Sequence, residues 1–184
     1  VINDGSTDNS LNLLEEYGDR IVLLNQVNQG QAIARNNGIR VATGDFLFFV
    51  DGDDWIDQHA IKEMVSYAEA YDFDIVVCDY YIASEKNIYQ KGYENLSDPR
   101  VGYMLSNPGP CFKLFKKFLF ENNDIKFLPG HIYEDLAVIP ALGLYTNKIG
   151  YVPKAFYYYF VHDDSTMKQI SYNTKLEDIF DATD

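Results

Sequence analysis

A group of carboxylates follows directly after the most apolar short segment of the sequence. Five apolar residues, Phe46 to Val50, lead into the run Asp51-Gly52-Asp53-Asp54. Carboxylates at the carboxyl end of a buried strand suit Mg²⁺ or Mn²⁺, which take one or two of them and complete their coordination with water and substrate phosphates. The alternative is a solvated acidic turn. An EF-hand loop is not expected, because the twelfth position counted from Asp51 is Lys62 and not glutamate.

A second acidic pair, Glu134-Asp135, stands directly before an apolar helical pattern. Its ordinary explanation is the favourable interaction of carboxylates with the dipole at a helix N-terminus. Two further residues are candidates for meeting a ligand. Asp4 follows a strand end, where its carboxylate can either meet a ligand or cap the following turn. Arg35 can either face a ligand or form an ion pair with Asp4 or Asp51.

Four stretches of the sequence match, in order, the motifs of one enzyme family. They are Val1 to Asp8, Asn28 to Gly38, Val50 to Asp54 and Tyr133-Glu134-Asp135. They resemble a strand closing on Asp-Gly-Ser-x-Asp, an Asn-x-Gly-x-x-x-Ala-Arg-Asn-x-Gly segment, an Asp-x-Asp-Asp metal motif, and a Glu-Asp pair that supplies a catalytic base. By this resemblance, which covers about residues 1–168, the chain is identified as a member of the family 2 glycosyltransferases. These are inverting enzymes of the GT-A fold that use nucleotide-diphospho-sugars.

The resemblance implies roles for the residues on the donor side. The residue that matches Asp4 binds the nucleotide base, usually uracil, and the one that matches Arg35 lies near the base and diphosphate. Asp51 is expected near the ribose and the metal, and Asp53 is expected to be the direct ligand of Mg²⁺ or Mn²⁺. Asp54 is expected to support the site without binding the metal, or to cap a helix.

The resemblance also implies roles on the acceptor side. Asp135 is expected to be the base that takes the proton from the acceptor hydroxyl, with Glu134 close to the acceptor or orienting Asp135. His162 is expected to contact the diphosphate or to complete the metal shell, unless it is a surface loop histidine. Here the chain departs from the family, since many relatives carry arginine at the positions of Phe160 and His162. Trp55 and His131 are candidates for the acceptor pocket, with packing or surface roles as the alternative.

The composition fits a single packed domain. At 184 residues, with 47% hydrophobic and 15% aromatic residues, the chain can bury a core and is not of the disordered class. The net charge of −13 argues against a protein that binds the phosphate backbone of nucleic acid, since such binding needs a basic face. Cys78 and Cys111 lie far apart, so we expect two buried thiols in a reducing compartment. No apolar run approaches the roughly 20 residues that a membrane-spanning helix needs.

Alternating strand and helix patterns predict an α/β fold. Together with the resemblance, they predict a Rossmann-like GT-A domain in which a mostly parallel central sheet lies between helices. Helices are predicted at about 31–42, 58–71 and 134–145. Phe46 to Val50 is predicted to be a central parallel strand. Two short strands are predicted at 149–152 and 155–161, and the segment 84–110 is predicted to be variable surface structure.

The chain is expected to be one incomplete catalytic domain. We expect residues 1–81 to bind the nucleotide-sugar and residues 82–184 to supply the acceptor site and the base. Val1-Ile2 is predicted to end a strand already under way, and the first βα unit of the family domain is expected to be missing.

The resemblance implies a UDP-sugar donor and a saccharide or lipid-linked saccharide acceptor, as in bacterial surface polysaccharide synthesis. It implies a cytoplasmic protein, with peripheral association at the inner face of the membrane as an option. Two alternatives stay open. One is a nucleotide-binding domain of the same fold without turnover. The other is a haloacid-dehalogenase-like phosphotransferase, whose Asp-x-Asp motif prefers Thr or Val where this chain has Trp55.

Overall fold

The computed structural model describes residues 1–92, 98–131 and 133–162. Its strands are β1 (Ile2–Asp4), β2 (Leu24–Gln26), β3 (Phe46–Phe48), β4 (Trp55–Ile56), β5 (Ile75–Ala83), β6 (Ile88–Lys91), β7 (Lys113–Lys116) and β8 (Ile149–Phe160). Its helices are α1 (Ser10–Glu15), α2 (Gln31–Val41), α3 (Ala60–Tyr71), α4 (Pro99–Leu105), α5 (Phe118–Glu121) and α6 (Glu134–Leu142). The predicted α/β class is therefore confirmed.

The described strands form a small sheet and a larger one. β1 and β2 pair in parallel. The larger sheet has the order β3-β7-β5-β8-β4, with β6 added to the C-terminal part of β5. The parallel pairing expected from the sequence is present in β1–β2 and β5–β8, whereas the other described pairs, β3–β7, β5–β7, β5–β6 and β4–β8, are antiparallel. The site is assembled where β1, β3 and β8 end.

Two strand predictions need correction. β3 was predicted to be parallel to its neighbours, but its described partner β7 runs antiparallel to it. A continuous apolar run indicates burial on both faces and says nothing about the direction of the partner strand. The two strands predicted between 149 and 161 are one strand, β8, whose register against β5 shifts on either side of Asp79. Pro153 lies at this irregularity, where a missing N–H is tolerated.

Two groups of buried side chains form the core, one on each face of β5. Ile75 and Val77 pack into the group that includes α6, and Val76 and Cys78 pack into the group that includes α3. This division follows from the alternation of side chains along a strand. Cys78 and Cys111 are both free and buried, as predicted. The helices α2, α3 and α6 lie close to their predicted bounds because their apolar spacing and end signals are local.

The segment predicted to be variable surface structure contains the exposed strand β6 and the helix α4. Asp98 caps α4, since its side chain accepts hydrogen bonds from the backbone N–H groups of Arg100 and Val101. Across the described part of the chain, none of the helices has the length and apolar character needed to cross a bilayer.

Candidate active site

Arg35 on α2 joins the two acidic groups that the sequence singles out. Its Nη2 lies 3.0 Å from Oδ1 of Asp51, and its Nη1 forms a short contact with Oε1 of Glu134. The side chains of Arg35 and Glu134 are only 11% and 1% exposed. Burial acts to lower the pKa of Arg35, but the neighbouring carboxylates outweigh it and the pKa is raised. The ion pair with Asp51 that the sequence left open is therefore formed.

Glu134 and Asp135 lie in the first turn of α6, where the helix dipole favours carboxylates. Burial raises the pKa of both side chains, and the charge of Arg35 opposes that shift. Oε2 of Glu134 is buried and has no partner at hydrogen-bond geometry among the described residues, and the side chain of Gln31 lies near enough to lower the pKa of Glu134. A buried oxygen without a partner calls for a physical explanation, such as a ligand group that binds there.

The acidic turn, Asp51 to Asp54, is fastened to β8. The backbone N–H of Asp51 donates to the hydroxyl of Tyr157 at 3.2 Å, and that hydroxyl donates to Oδ2 of Asp54 at 2.5 Å. Oδ1 of Asp54 accepts from the backbone N–H of Phe160 at 2.7 Å. Burial, opposed by these hydrogen bonds, raises the pKa of Asp54 to about 6. Asp54 supports the turn from within and does not cap a helix, because both of its carboxylate oxygens accept hydrogen bonds from β8.

Asp53 points away from this network. Its Oδ2 lies 3.0 Å from Nε2 of His162, and the two side chains are 50% and 33% exposed. A carboxylate and an imidazole close together suit a divalent cation such as Mn²⁺, which takes its other ligands from water and phosphate. The described residues contain no group of three or more His, Cys, Asp and Glu side chains arranged around one metal position. Asp53 and His162 therefore suit a cation that takes its remaining ligands from water and from the phosphates of the substrate.

Asp4 is held by backbone and side-chain donors. Its Oδ1 accepts from Nε2 of Gln26 at 2.8 Å and from the N–H of Gln29 at 2.9 Å, and its Oδ2 accepts from the N–H of Gly30 at 2.8 Å. Asp4 thus fixes the loop that leads into α2. The turn that follows β1 is capped instead by Asn3, whose Oδ1 accepts from the N–H of Ser6.

Gly5 allows this loop and the end of β1 to approach each other. Its φ of +73° lies in the left-handed region, and a Cβ at this position would come within 2.6 Å of the backbone nitrogen of Asn28. Both constraints favour glycine over any residue with a side chain.

Trp55 and His131 are not among the residues that Arg35 brings together. The Trp55 ring stacks on Tyr158, with centroids 5.3 Å apart and planes 11° apart, and Tyr158 stacks on Tyr81. Because Tyr157 and Tyr158 point to opposite faces of β8, Trp55 lies on the face away from Asp54. Nδ1 of His131 lies 3.0 Å from the carbonyl oxygen of Pro129. Their acceptor roles stay predictions.

Sequence reasoning missed two buried polar residues next to the site. Tyr157 lies in the aromatic run at 157–160. Only the alternation of side chains along the strand would have indicated that it faces the acidic turn. Lys113 is fully buried within an apolar strand, and its Nζ donates to the carbonyl oxygens of Asn107 at 2.6 Å and Gly109 at 2.7 Å. Burial lowers the pKa of Lys113 to about 7. The position of this lysine inside an apolar run was the only feature of the sequence that could have indicated its burial.

Comparison with known proteins extends these observations. The model of "Glycosyl transferase family 2" matches residues 1–132. Glycosyltransferase GlyA of Streptococcus pneumoniae serotype 4 is 31% identical over 188 aligned positions, which cover 90% of this chain and 26% of that protein. The first curated relatives are matched over 26% to 62% of their own length.

Solved structures share the fold. A crystal structure of residues 1–349 of TarS from S. aureus, in complex with UDP-GlcNAc, aligns with a TM-score of 0.82 at 23% identity over 99% of this chain and 54% of that one. The mannosyltransferase PcManGT of Pyrobaculum calidifontis, in complex with GDP-Man and Mn²⁺, aligns with a TM-score of 0.63 at 17% identity over 90% and 48%. The expected GT-A architecture is thereby confirmed. With the family model matched over 132 residues and these motifs in place, the chain belongs to glycosyl transferase family 2.

Proposed function

We propose that the protein transfers a sugar from a UDP-sugar to an acceptor hydroxyl, with inversion at the anomeric carbon and with dependence on Mg²⁺ or Mn²⁺. The observation that carries the proposal is the position of Arg35, which contacts both Asp51 and Glu134. One guanidinium thus links the residues expected to hold the donor with the pair expected to supply the base. A transfer reaction needs both within reach of one reacting carbon.

The donor is proposed to be a uridine nucleotide because of Asp4. Its carboxylate is oriented by three hydrogen bonds, of which Oδ2 accepts one, so that oxygen retains capacity for an imide N–H. TarS supports the same choice, since that relative was crystallised with UDP-GlcNAc and with UDP. Arg35 is proposed to act near the diphosphate, where a guanidinium that already binds two carboxylates retains N–H groups.

A divalent cation is proposed to bind at Asp53 and Asp51, with His162 completing the protein ligands. When bound, such a cation would neutralise the charge that develops on the leaving diphosphate. The exposure of Asp53 and its contact with His162 support this assignment. The Mn²⁺ complex of the mannosyltransferase PcManGT, which shares the fold, supports the presence of a divalent cation.

Asp135 is proposed to be the base. The acceptor oxygen forms a bond to C1 of the sugar while the bond from C1 to the diphosphate oxygen breaks, and the hydroxyl proton passes to the Asp135 carboxylate. Burial raises the pKa of Asp135, which makes it a better proton acceptor. Oε2 of Glu134, which has no partner among the described residues, is proposed to accept a hydrogen bond from a substrate hydroxyl.

The acceptor is proposed to be a saccharide or a lipid-linked saccharide of a bacterial surface polymer, used at the cytoplasmic face of the membrane. TarS and TarP are named for transfer of N-acetylglucosamine to poly(ribitol-phosphate), which supports a polymer of this kind. Trp55 and His131 are retained as candidates for acceptor contacts.

Calorimetry on the full-length protein tests the proposal. UDP should bind in the presence of Mn²⁺ and bind weakly after EDTA treatment. Asp53→Asn should lower UDP affinity in Mn²⁺ by at least about tenfold. The matched control, Asp19→Asn on an exposed turn, should bind like the wild type. UDP binding that is unaffected by EDTA would remove the metal assignment, and binding without release of sugar from any UDP-sugar would favour the inactive domain. The phosphotransferase alternative has no support from the family match.

A further inference from the structure

The geometry points to Tyr157 as the residue that positions the acidic turn for its cation, a role that rests on the proposed function. Tyr157 is fully buried on β8. Its hydroxyl oxygen accepts from the N–H of Asp51 and donates to the carboxylate of Asp54. A single oxygen atom therefore joins the first and the last residue of the turn.

The hydroxyl is not needed for core packing. The ring of Tyr157 lies 6.3 Å from the ring of Phe48 and 6.1 Å from that of Phe112, measured between centroids. A phenylalanine would fill the same space, and a buried hydroxyl is unfavourable unless it is hydrogen-bonded. The hydroxyl is therefore explained by its hydrogen bonds, two of them with the turn and a further one with the thiol of Cys111.

These contacts determine which carboxylate of the turn is left for a ligand. Asp54 uses Oδ2 on Tyr157 and Oδ1 on the N–H of Phe160, so both of its oxygens face β8. Asp53 is left half exposed beside His162, which follows the end of the same strand. β8 thus supplies the contacts that shape the turn and the histidine that lies against it. Ligands held in this way need less reorganisation when a cation binds.

The test compares Tyr157→Phe with the matched control Tyr158→Phe in the full-length protein. Tyr158 is the next residue on β8, faces the other side of the sheet and stacks on Trp55, a contact that phenylalanine retains. Mn²⁺ affinity is measured directly, by electron paramagnetic resonance at saturating UDP. We expect Tyr157→Phe to weaken Mn²⁺ binding by roughly 10- to 100-fold, and Tyr158→Phe to leave it unchanged. At saturating Mn²⁺ the turnover of Tyr157→Phe should approach that of the wild type.

The outcomes separate this role from the proposed function. Equal Mn²⁺ affinities in the two variants, with a wild type that binds Mn²⁺ and UDP, would overturn the role of Tyr157 alone. A wild type that binds no Mn²⁺ in the presence of UDP would overturn the proposed function itself. If Tyr157→Phe does not fold, Asp54→Asn removes the carboxylate partner with Tyr157 intact. It should weaken Mn²⁺ binding as well, and unchanged Mn²⁺ affinity in that variant would contradict the inference.

Discussion

The acidic pair Asp53-Asp54 lies in an exposed turn, whereas the pair Glu134-Asp135 begins a helix that packs into the core. In each pair one carboxylate is engaged by the protein. Asp54 accepts hydrogen bonds from Tyr157 and Phe160, and Glu134 forms an ion pair with Arg35. The neighbouring residue is less constrained in both cases. Asp54 and Glu134 thus both support the site through contacts with the protein, and Glu134 keeps a second oxygen, Oε2, that is proposed to meet the substrate.

The means of support differs between the pairs, and the difference matches the chemistry expected of each. Neutral donors hold Asp54, so no cation of the protein pairs with it, and in this turn Arg35 pairs with Asp51 instead. Burial raises the pKa of Asp54 as well, to about 6. A buried cation holds Glu134, and burial raises the pKa of Asp135, which favours a proton. The proposed metal ligand Asp53 and the proposed base Asp135 therefore differ in solvent exposure, since Asp53 is exposed and Asp135 is partly buried.

The largest expected effect is on turnover and comes from Asp135→Asn. The amide keeps the shape of the side chain but cannot take a proton near neutral pH, so turnover should fall by about 10²- to 10⁴-fold. UDP affinity in Mn²⁺ should stay within about twofold of the wild type, because the base acts in the transition state. Steady-state kinetics and calorimetry check this. Turnover above about a tenth of the wild-type rate would remove Asp135 as the base.

Arg35→Met should affect folding, because it leaves Glu134 buried without its cation. We expect the free energy of unfolding to fall by about 3–5 kcal/mol, measured by denaturant titration. The double variant with Glu134→Gln should lose less, since no charge is then left unpaired. A loss below about 1 kcal/mol for Arg35→Met would show that the buried pair does not depend on this cation.

The effect that is smallest per measured step is a pH dependence at Lys113, whose charge acts on Asp135. Burial lowers its pKa from 10.5 to about 7. Between these values the unfolded chain binds a proton that the folded protein does not, so stability should rise with pH from 7 towards 10. The contribution is at most about 1.4 kcal/mol per pH unit.

Unfolding free energies at several pH values, compared with those of Lys113→Met, isolate this contribution from other groups that titrate in the range. The exposed variant Lys62→Met serves as the control and should keep the wild-type slope. An identical slope in Lys113→Met would contradict the shift.

Much of the fold and part of the site could be predicted from the sequence. The bounds of α2 follow from local spacing, and the ion pair of Arg35 with Asp51 is one of the alternatives that the sequence left open. The direction of β3 relative to β7 and the continuity of β8 through Pro153 could not be predicted. Both depend on pairing between residues far apart in sequence, and nothing local encodes it.

The same limit applies to individual side chains. Asp54 was expected to be a supporting residue, but its partner Tyr157 could not be identified without the register of β8. Trp55 directly follows the acidic turn in sequence, yet strand alternation directs its ring to the other face of the sheet. Proximity in sequence therefore did not indicate which side chains contact the acidic turn: the distant Tyr157 does, and the adjacent Trp55 lies on the other face of the sheet.

The irregularity in β8 has a consequence for which lengths of this strand are compatible with the site. Val152 lies opposite Cys78 and Tyr157 lies opposite Tyr80, so β8 takes five residue steps where β5 takes two. The excess is odd, so the β8 residues that pack on the same face as Cys78 and Tyr80 change from even numbers at Val152 to odd numbers from Tyr157 onwards. Gain or loss of one residue between Val152 and Tyr157 would turn Tyr157 towards the face of Trp55. Only changes by pairs of residues preserve the parity that the acidic turn requires.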